Sequence, residues 1–195
     1  MQAGDSIGTG SWSNGYAAID HLGLGAGVIL HNVSVSGRTM LTGFGQRASE
    51  LFVFCATGIT CVLLIEQGTN DLSAGTTAAA LYNERAAPFV AAAKAAGFYV
   101  VLNSVLPRDD AGWSADKERE RQAYNALVCA NAAGADAVND IASDAQIGDT
   151  AIPGPLFYAD RLHLNARGQQ RLAAITAAVI RDVVRRSPRP PAPQG

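Results

Sequence analysis

The sequence predicts an α/β fold of three layers, with helices on both faces of a flavodoxin-like parallel sheet. Three observations predict it. Apolar runs at Cys61–Ile65 and Phe98–Leu102 and the mostly apolar segment Val28–Val33 are the length of strands and have the composition of strands buried on both faces. Helical segments separate these runs, an alternation that builds parallel sheets. The 195 residues, 48% apolar and 16% charged, suffice for one globular domain with a core of its own.

The elements follow in order. After the Gly8–Ser11 loop, Trp12, Tyr16, Ile19 and Leu22 are partly at helical spacing and predict a first helix. Glycines at 23, 25 and 27 break it before the Val28–Val33 strand, which delivers Gly37 at its carboxyl end. A helix is expected over residues 45–56. Cys61–Ile65 is the clearest strand and ends at Gly68-Thr69-Asn70-Asp71. The alanine-rich stretch from Thr77 to Ala96 reads as a helix that Pro88 kinks or restarts and Gly97 caps.

Phe98–Leu102 is the next strand, and its exit leads into a polar loop, Asp109–Gly112, placed beside the crevice at the carboxyl ends of the strands. Ser114 is a fair N-cap for a helix reaching Ala133. Ala137–Ile141 suggests a weak last strand, and residues 144–158 an irregular approach to the closing helix. That helix starts at Asn165, carries Leu172, Ile175, Val179 and Val183 on one face, and stops before Pro188. The domain thus spans residues 1–187, and the proline-rich residues 188–195 form a disordered tail.

A formal charge of −2 supplies no electrostatic reason to expect a nucleic-acid partner. No run reaches the roughly 18 apolar residues of a membrane span. Cys55, Cys61 and Cys129 lack metal-site spacing and stand in apolar or alanine-rich surroundings, so they are expected to be buried free thiols, one bridge remaining possible. The chain opens without an export signal, which fits a cytoplasmic protein as written; a start further upstream would allow secretion.

Four short blocks carry chemistry. Ser6, in Gly4-Asp5-Ser6-Ile7, is a serine in a turn-prone setting. Asp160 and His163, in Asp160-Arg161-Leu162-His163, are three residues apart, the spacing that places two side chains on one face of a helical turn. Gly37 and Asn70 stand in turn-like contexts directly after apolar runs. Each has a plain structural reading: a capping serine, a carboxylate at a helix start, a solvated histidine, a turn glycine and an Asx-turn former. His21 and His31 have no carboxylate three residues before them and are read as structural.

In that order, the four blocks resemble the SGNH (GDSL-type) hydrolase superfamily over most of the chain. The resemblance implies a serine esterase: Ser6 as nucleophile, His163 as base paired with Asp160, and the Gly37 N–H and Asn70 side-chain amide as oxyanion donors. It implies no cofactor and no metal, and a small-molecule or carbohydrate ester as substrate. It also implies a buried strand ahead of Ser6, where only Met1, Gln2 and Ala3 precede the block. A truncated first strand is therefore expected, with a gap in the sheet. Two alternatives follow: an acyltransferase using the same site, or an inactive binding domain short of that strand.

Overall fold

Four short parallel strands, β1 (Gln2–Gly4), β2 (Cys61–Glu66), β3 (Phe98–Asn103) and β4 (Ala137–Asn139), lie side by side in chain order. They belong to a computed structural model that describes residues 1–42, 51–56, 58–148 and 156–187. Gln2, Leu64, Val101 and Ala137 form one continuous row across the sheet. The expected helix over residues 45–56 lies largely outside the described residues, as does the tail from residue 188.

Side chains alternate between the faces, as the strand repeat requires. Leu63, Ile65, Val100 and Leu102 enter a cluster with Leu81, Phe89, Tyr124 and Val128, while Leu64 and Val101 meet Val183 behind the sheet. The first face is covered by α1 (Thr69–Ser73), α2 (Ala78–Leu81), α3 (Ala87–Ala95) and α4 (Ala115–Ala130), the second by α5 (Ala166–Arg186). This is the three-layer arrangement expected. Ser114 Oγ accepts from the Lys117 N–H and caps α4, and Asn165 caps α5 through the Gly168 N–H. Between α2 and α3 a widened turn at Tyr82–Ala86 leads into Pro88 in the first turn of α3, where its missing N–H costs little.

The first strand departs from expectation. It is short but paired on both sides. Leu64 N–H donates to Met1 C=O at 2.9 Å on one flank, and Gln2 N–H donates to His31 C=O at 2.8 Å on the other. The segment near Asn32 thus takes the outer place beside β1, and the sheet has no gap at residues 2–4. Beside Met1 lies a groove of about 690 Å³ lined by Ile29, His31, Phe54 and Val62 among others.

Three further expectations are corrected. Val28–Val33 is not a regular strand: it touches the sheet through one bridge at Asn32, and Ile29 is 76% exposed. With β1 so short, the segment lacks a partner for its earlier residues. The first helix shrinks to a single turn at Ala18–His21, because Gly10 and Gly15 adopt positive φ and turn the chain; Ile19 and Leu22 are buried, but Trp12 is not. The cysteines are not three buried thiols. Cys55 and Cys61 form a disulfide, and Cys129 is free and exposed; apolar neighbours in sequence did not report which face of α4 carried Cys129. Among the described residues no helix is long and apolar enough to cross a membrane.

Candidate active site

Ser6 leaves the carboxyl end of β1 in a tight turn. Asp5 Oδ1 accepts from the Ile7 N–H at 2.9 Å, and Thr9 N–H and Ser11 N–H return to the carbonyls of Asp5 and Ser6, both at 3.0 Å. The buried Gln169 of α5 locks this turn from behind, its Nε2 donating to Ile7 C=O at 2.8 Å and its Oε1 accepting from Ala18 N–H at 3.1 Å. The Ser6 hydroxyl is thereby held at the rim of the sheet, nearly buried.

His163 arrives from the far end of the sequence. Its Nε2 lies 2.9 Å from Ser6 Oγ, and its Nδ1 lies 2.8 Å from Asp160 Oδ2. The pair does not sit on a helical turn, as spacing suggested. Residues 157–165 instead form a small hairpin, with Tyr158 bridged to Leu164 and Ala159 N–H donating to His163 C=O. At its tip Asp160 Oδ1 accepts from the N–H groups of Leu162 at 3.1 Å and His163 at 2.6 Å. One carboxylate oxygen therefore fixes the turn, and the other is left for the imidazole. Burial pushes Asp160 upward, but the backbone and ring bonds from His163 and the charge on that ring outweigh it and hold the carboxyl below its usual value.

Gly37 and Asn70 are tied to each other. Asn70 Nδ2 donates to Arg38 C=O at 2.9 Å, one residue past Gly37. Gly37 adopts φ of 75°, where glycine avoids the steric cost of a side chain. A chain of hydroxyls joins this turn to the first: Ser36 Oγ to Ser11 Oγ at 2.9 Å, Ser11 Oγ to Thr9 Oγ1 at 2.7 Å, and Thr9 Oγ1 to Ser6 C=O at 2.9 Å. Among the described residues no protein group accepts from the N–H of Ser6 or of Gly37. The amide of Asn70 has a second hydrogen beyond the one given to Arg38. These are donors available to an anion.

Most of the supports were not visible from sequence. Asp71 accepts from Met40 N–H at 2.8 Å and pairs with Arg85 at 2.5 Å, bracing the turn that carries Asn70. Arg108 spans Thr69 Oγ1 at 3.1 Å and Asp110 at 2.6 Å, and the polar loop reaches the hairpin through Asp109 and Arg161, 2.9 Å apart. Asp5 and Glu66 are buried beneath the Ser6 turn. Desolvation raises Asp5 to about 7, with the Asp71 charge adding to it against the Ile7 N–H bond; desolvation also raises Glu66, and the Asp5 charge adds to it. Asp5 and Asp71 stand next to Ser6 and Asn70 in their own blocks; Gln169 and Glu66 gave no periodic or motif signal. Trp12 was read as an apolar position of a helix, yet its ring lies 5.6 Å from that of His163.

Comparison with known proteins follows the same lines. The model of the GDSL-like Lipase/Acylhydrolase family matches residues 3–171. Among solved structures, the chain is similar to TesA, with 22% identity over 93% of this chain and 97% of that one and a TM-score of 0.71. It is similar to a lipolytic protein of the G-D-S-L family from Veillonella parvula, with 21% identity, coverage of 95% and 97%, and a TM-score of 0.73. It is also similar to a variant of Axe2, an acetyl-xylooligosaccharide esterase from Geobacillus, with 17% identity, coverage of 93% and 92%, and a TM-score of 0.68. No curated protein matches the chain.

Proposed function

The chain belongs to the GDSL-like lipase/acylhydrolase family and is a hydrolase acting on ester bonds, and from that premise we propose that it cleaves carboxylic esters through an acyl-serine intermediate. The observation that carries this reading is the hydrogen-bonded line from Ser6 through His163 to Asp160, which joins residues 157 positions apart at 2.9 Å.

A serine hydroxyl is a weak nucleophile until a base takes its proton. His163 Nε2 is that base. As Ser6 Oγ attacks the ester carbonyl, the proton passes to Nε2 and the imidazolium forms against the Asp160 carboxylate, which holds the other ring N–H. The carbonyl oxygen becomes an oxyanion and takes the hydrogen bonds of the Gly37 N–H, the Ser6 N–H and the Asn70 amide. Collapse of the tetrahedral intermediate expels the alcohol, which leaves with the proton from His163. Water then attacks the acyl-serine with His163 again as base, the acid departs, and the Ser6 hydroxyl is restored. Every proton moves through one imidazole, so no cofactor or metal is needed. Small-molecule or carbohydrate esters fit the reaction.

The case for an inactive binding domain rested on a missing first strand; β1 is paired on both flanks, so that argument lapses. The test is hydrolysis of phenyl acetate by the wild-type chain and by Ser6→Ala. Loss of about four orders of magnitude or more in kcat is expected. Undiminished turnover in the variant would end the proposal. Adding glycerol as acceptor and weighing the products separates hydrolysis from acyl transfer.

A further inference from the structure

The reaction above leaves Trp12, whose ring lies beside that of His163, without a task. The residue is 65% exposed, and among the described residues it joins none of the apolar clusters. Its backbone has φ of 67°, a left-handed conformation unfavourable to a bulky residue. The segment is nevertheless tightly held. Gly10 N–H donates to Ile7 C=O at 3.0 Å, and Ser13 Oγ reaches the carbonyls of Gly10 at 2.5 Å and Tyr16 at 2.7 Å. A Cβ on Gly10 would lie 2.6 Å from Tyr16 O, so the turn closes only around glycine. The result is an indole aimed at His163, 5.6 Å between ring centroids and inclined by 35°.

Resting on the acyl-serine reading, the chemistry says which part of a substrate meets it. His163 Nε2 delivers its proton to the oxygen of the departing alcohol, so that oxygen must come within hydrogen-bond reach of Nε2. The carbonyl oxygen is turned away, toward Gly37 and Asn70. A ring beside the imidazole therefore flanks the alcohol and not the acyl chain. We infer that Trp12 is a stacking platform for the alcohol portion of the ester, and that the enzyme prefers alcohols carrying a ring, a planar aryl or the C–H face of a pyranose, over open-chain ones. An exposed indole offers such a ring a broad apolar face, and stacking orients it before proton transfer. Strained backbone kept at a reactive centre accords with such a role.

Three acetates test this: phenyl acetate, an acetylated methyl pyranoside and ethyl acetate. All pass through the same acetyl-serine, so their deacylation is identical and differences appear in kcat/KM. Trp12→Ala is expected to lower the preference for the ring esters over ethyl acetate by about tenfold, with Trp12→Phe recovering most of it. Trp12→Gly, which suits the left-handed backbone, is expected to melt no lower than wild type and still lose the preference. Loss with phenyl acetate alone would assign the platform to aryl alcohols, and loss with the pyranoside alone to sugars. Equal losses on all three esters, or none, would overturn the inference and leave the serine mechanism standing. No Ser6-dependent turnover of any ester by the wild type would overturn both.

Discussion

Replacing Asp160 by asparagine tests the tautomer of His163 more sharply than removing the side chain. Asp160 Oδ1 accepts two backbone N–H groups, at 3.1 and 2.6 Å, so the asparagine oxygen is held there and its NH₂ faces Nδ1. A donor now meets the ring nitrogen that formerly donated. The imidazole answers by accepting at Nδ1 and carrying its proton on Nε2, where it cannot take the Ser6 proton. Two losses add. A unit charge about 4 Å from the imidazolium is worth about 4 kcal/mol at an effective dielectric of 20 and about 1 in bulk water. With the Asp160 side chain 41% exposed, about 2 to 3 kcal/mol is the fitting range. Restoring the productive tautomer against the amide costs roughly another 1 to 1.5 kcal/mol, the upper size of one neutral hydrogen bond. The total, about 4 kcal/mol, is roughly a thousandfold in kcat at 1.36 kcal/mol per decade. The assay is initial-rate hydrolysis of phenyl acetate, with KM expected within about threefold of wild type because the carboxylate does not touch substrate. A kcat within tenfold of wild type, in a variant that melts normally, would refute the reasoning.

Asn70→Ala removes one oxyanion donor and also the anchor on Arg38 C=O that steadies the Gly37 turn; kcat is expected to fall about 10²- to 10³-fold, the usual cost of such a donor, and steady-state rates on any reactive ester would show it. A second prediction concerns pH and stability. Folding lifts Asp5 from 3.8 to about 7, so between those values the native state holds a proton that the unfolded chain has released. Stability should therefore be greatest at the acid end of this window and decline as pH rises through it, by a few kcal/mol at most, about 1.4 per unit. Asp5→Asn keeps the acceptor for Ile7 N–H and removes the titration, so melting temperatures between about pH 4.5 and 7.5 should lose much of their slope; Glu66, also raised by burial, supplies the remainder. An unchanged slope would show that Asp5 does not carry the proton.

Much of the layout was legible because its signals are local. Cys61–Ile65 and Phe98–Leu102 read as strands since apolar runs of that length suit buried strands, and Ser114 read as a cap since a side-chain oxygen two or three residues ahead of a free N–H is a local bond. Val28–Val33 misled for the converse reason. Its composition suits a buried strand, but a strand needs a neighbour, and β1 offers only Gln2–Gly4. Cys55 and Cys61 were out of reach because the distance between two thiols depends on the path of the loop between them. Trp12 looked like part of an apolar helix face; glycine turns on either side of it, at φ of 71° and 80°, sent it to the surface instead.

The same division runs through the site. Ser6, Gly37, Asn70, Asp160 and His163 could be named as candidates from sequence because four short blocks stand in the order of the SGNH hydrolases, and the spacing of Asp160 and His163 already placed them within reach of each other. Sequence by itself determined the chemical groups, their order and, for Asn70, the strand beside whose end it stands. Tertiary structure alone decided that His163 Nε2 meets Ser6 Oγ, that Gln169 and the Thr9, Ser11 and Ser36 hydroxyls hold the turns around them, that Asp5 and Glu66 lie buried below, and that Trp12 flanks the imidazole. Those contacts join residues tens to more than a hundred and fifty positions apart, and a pattern read along the chain carries no term for such distances until packing closes them.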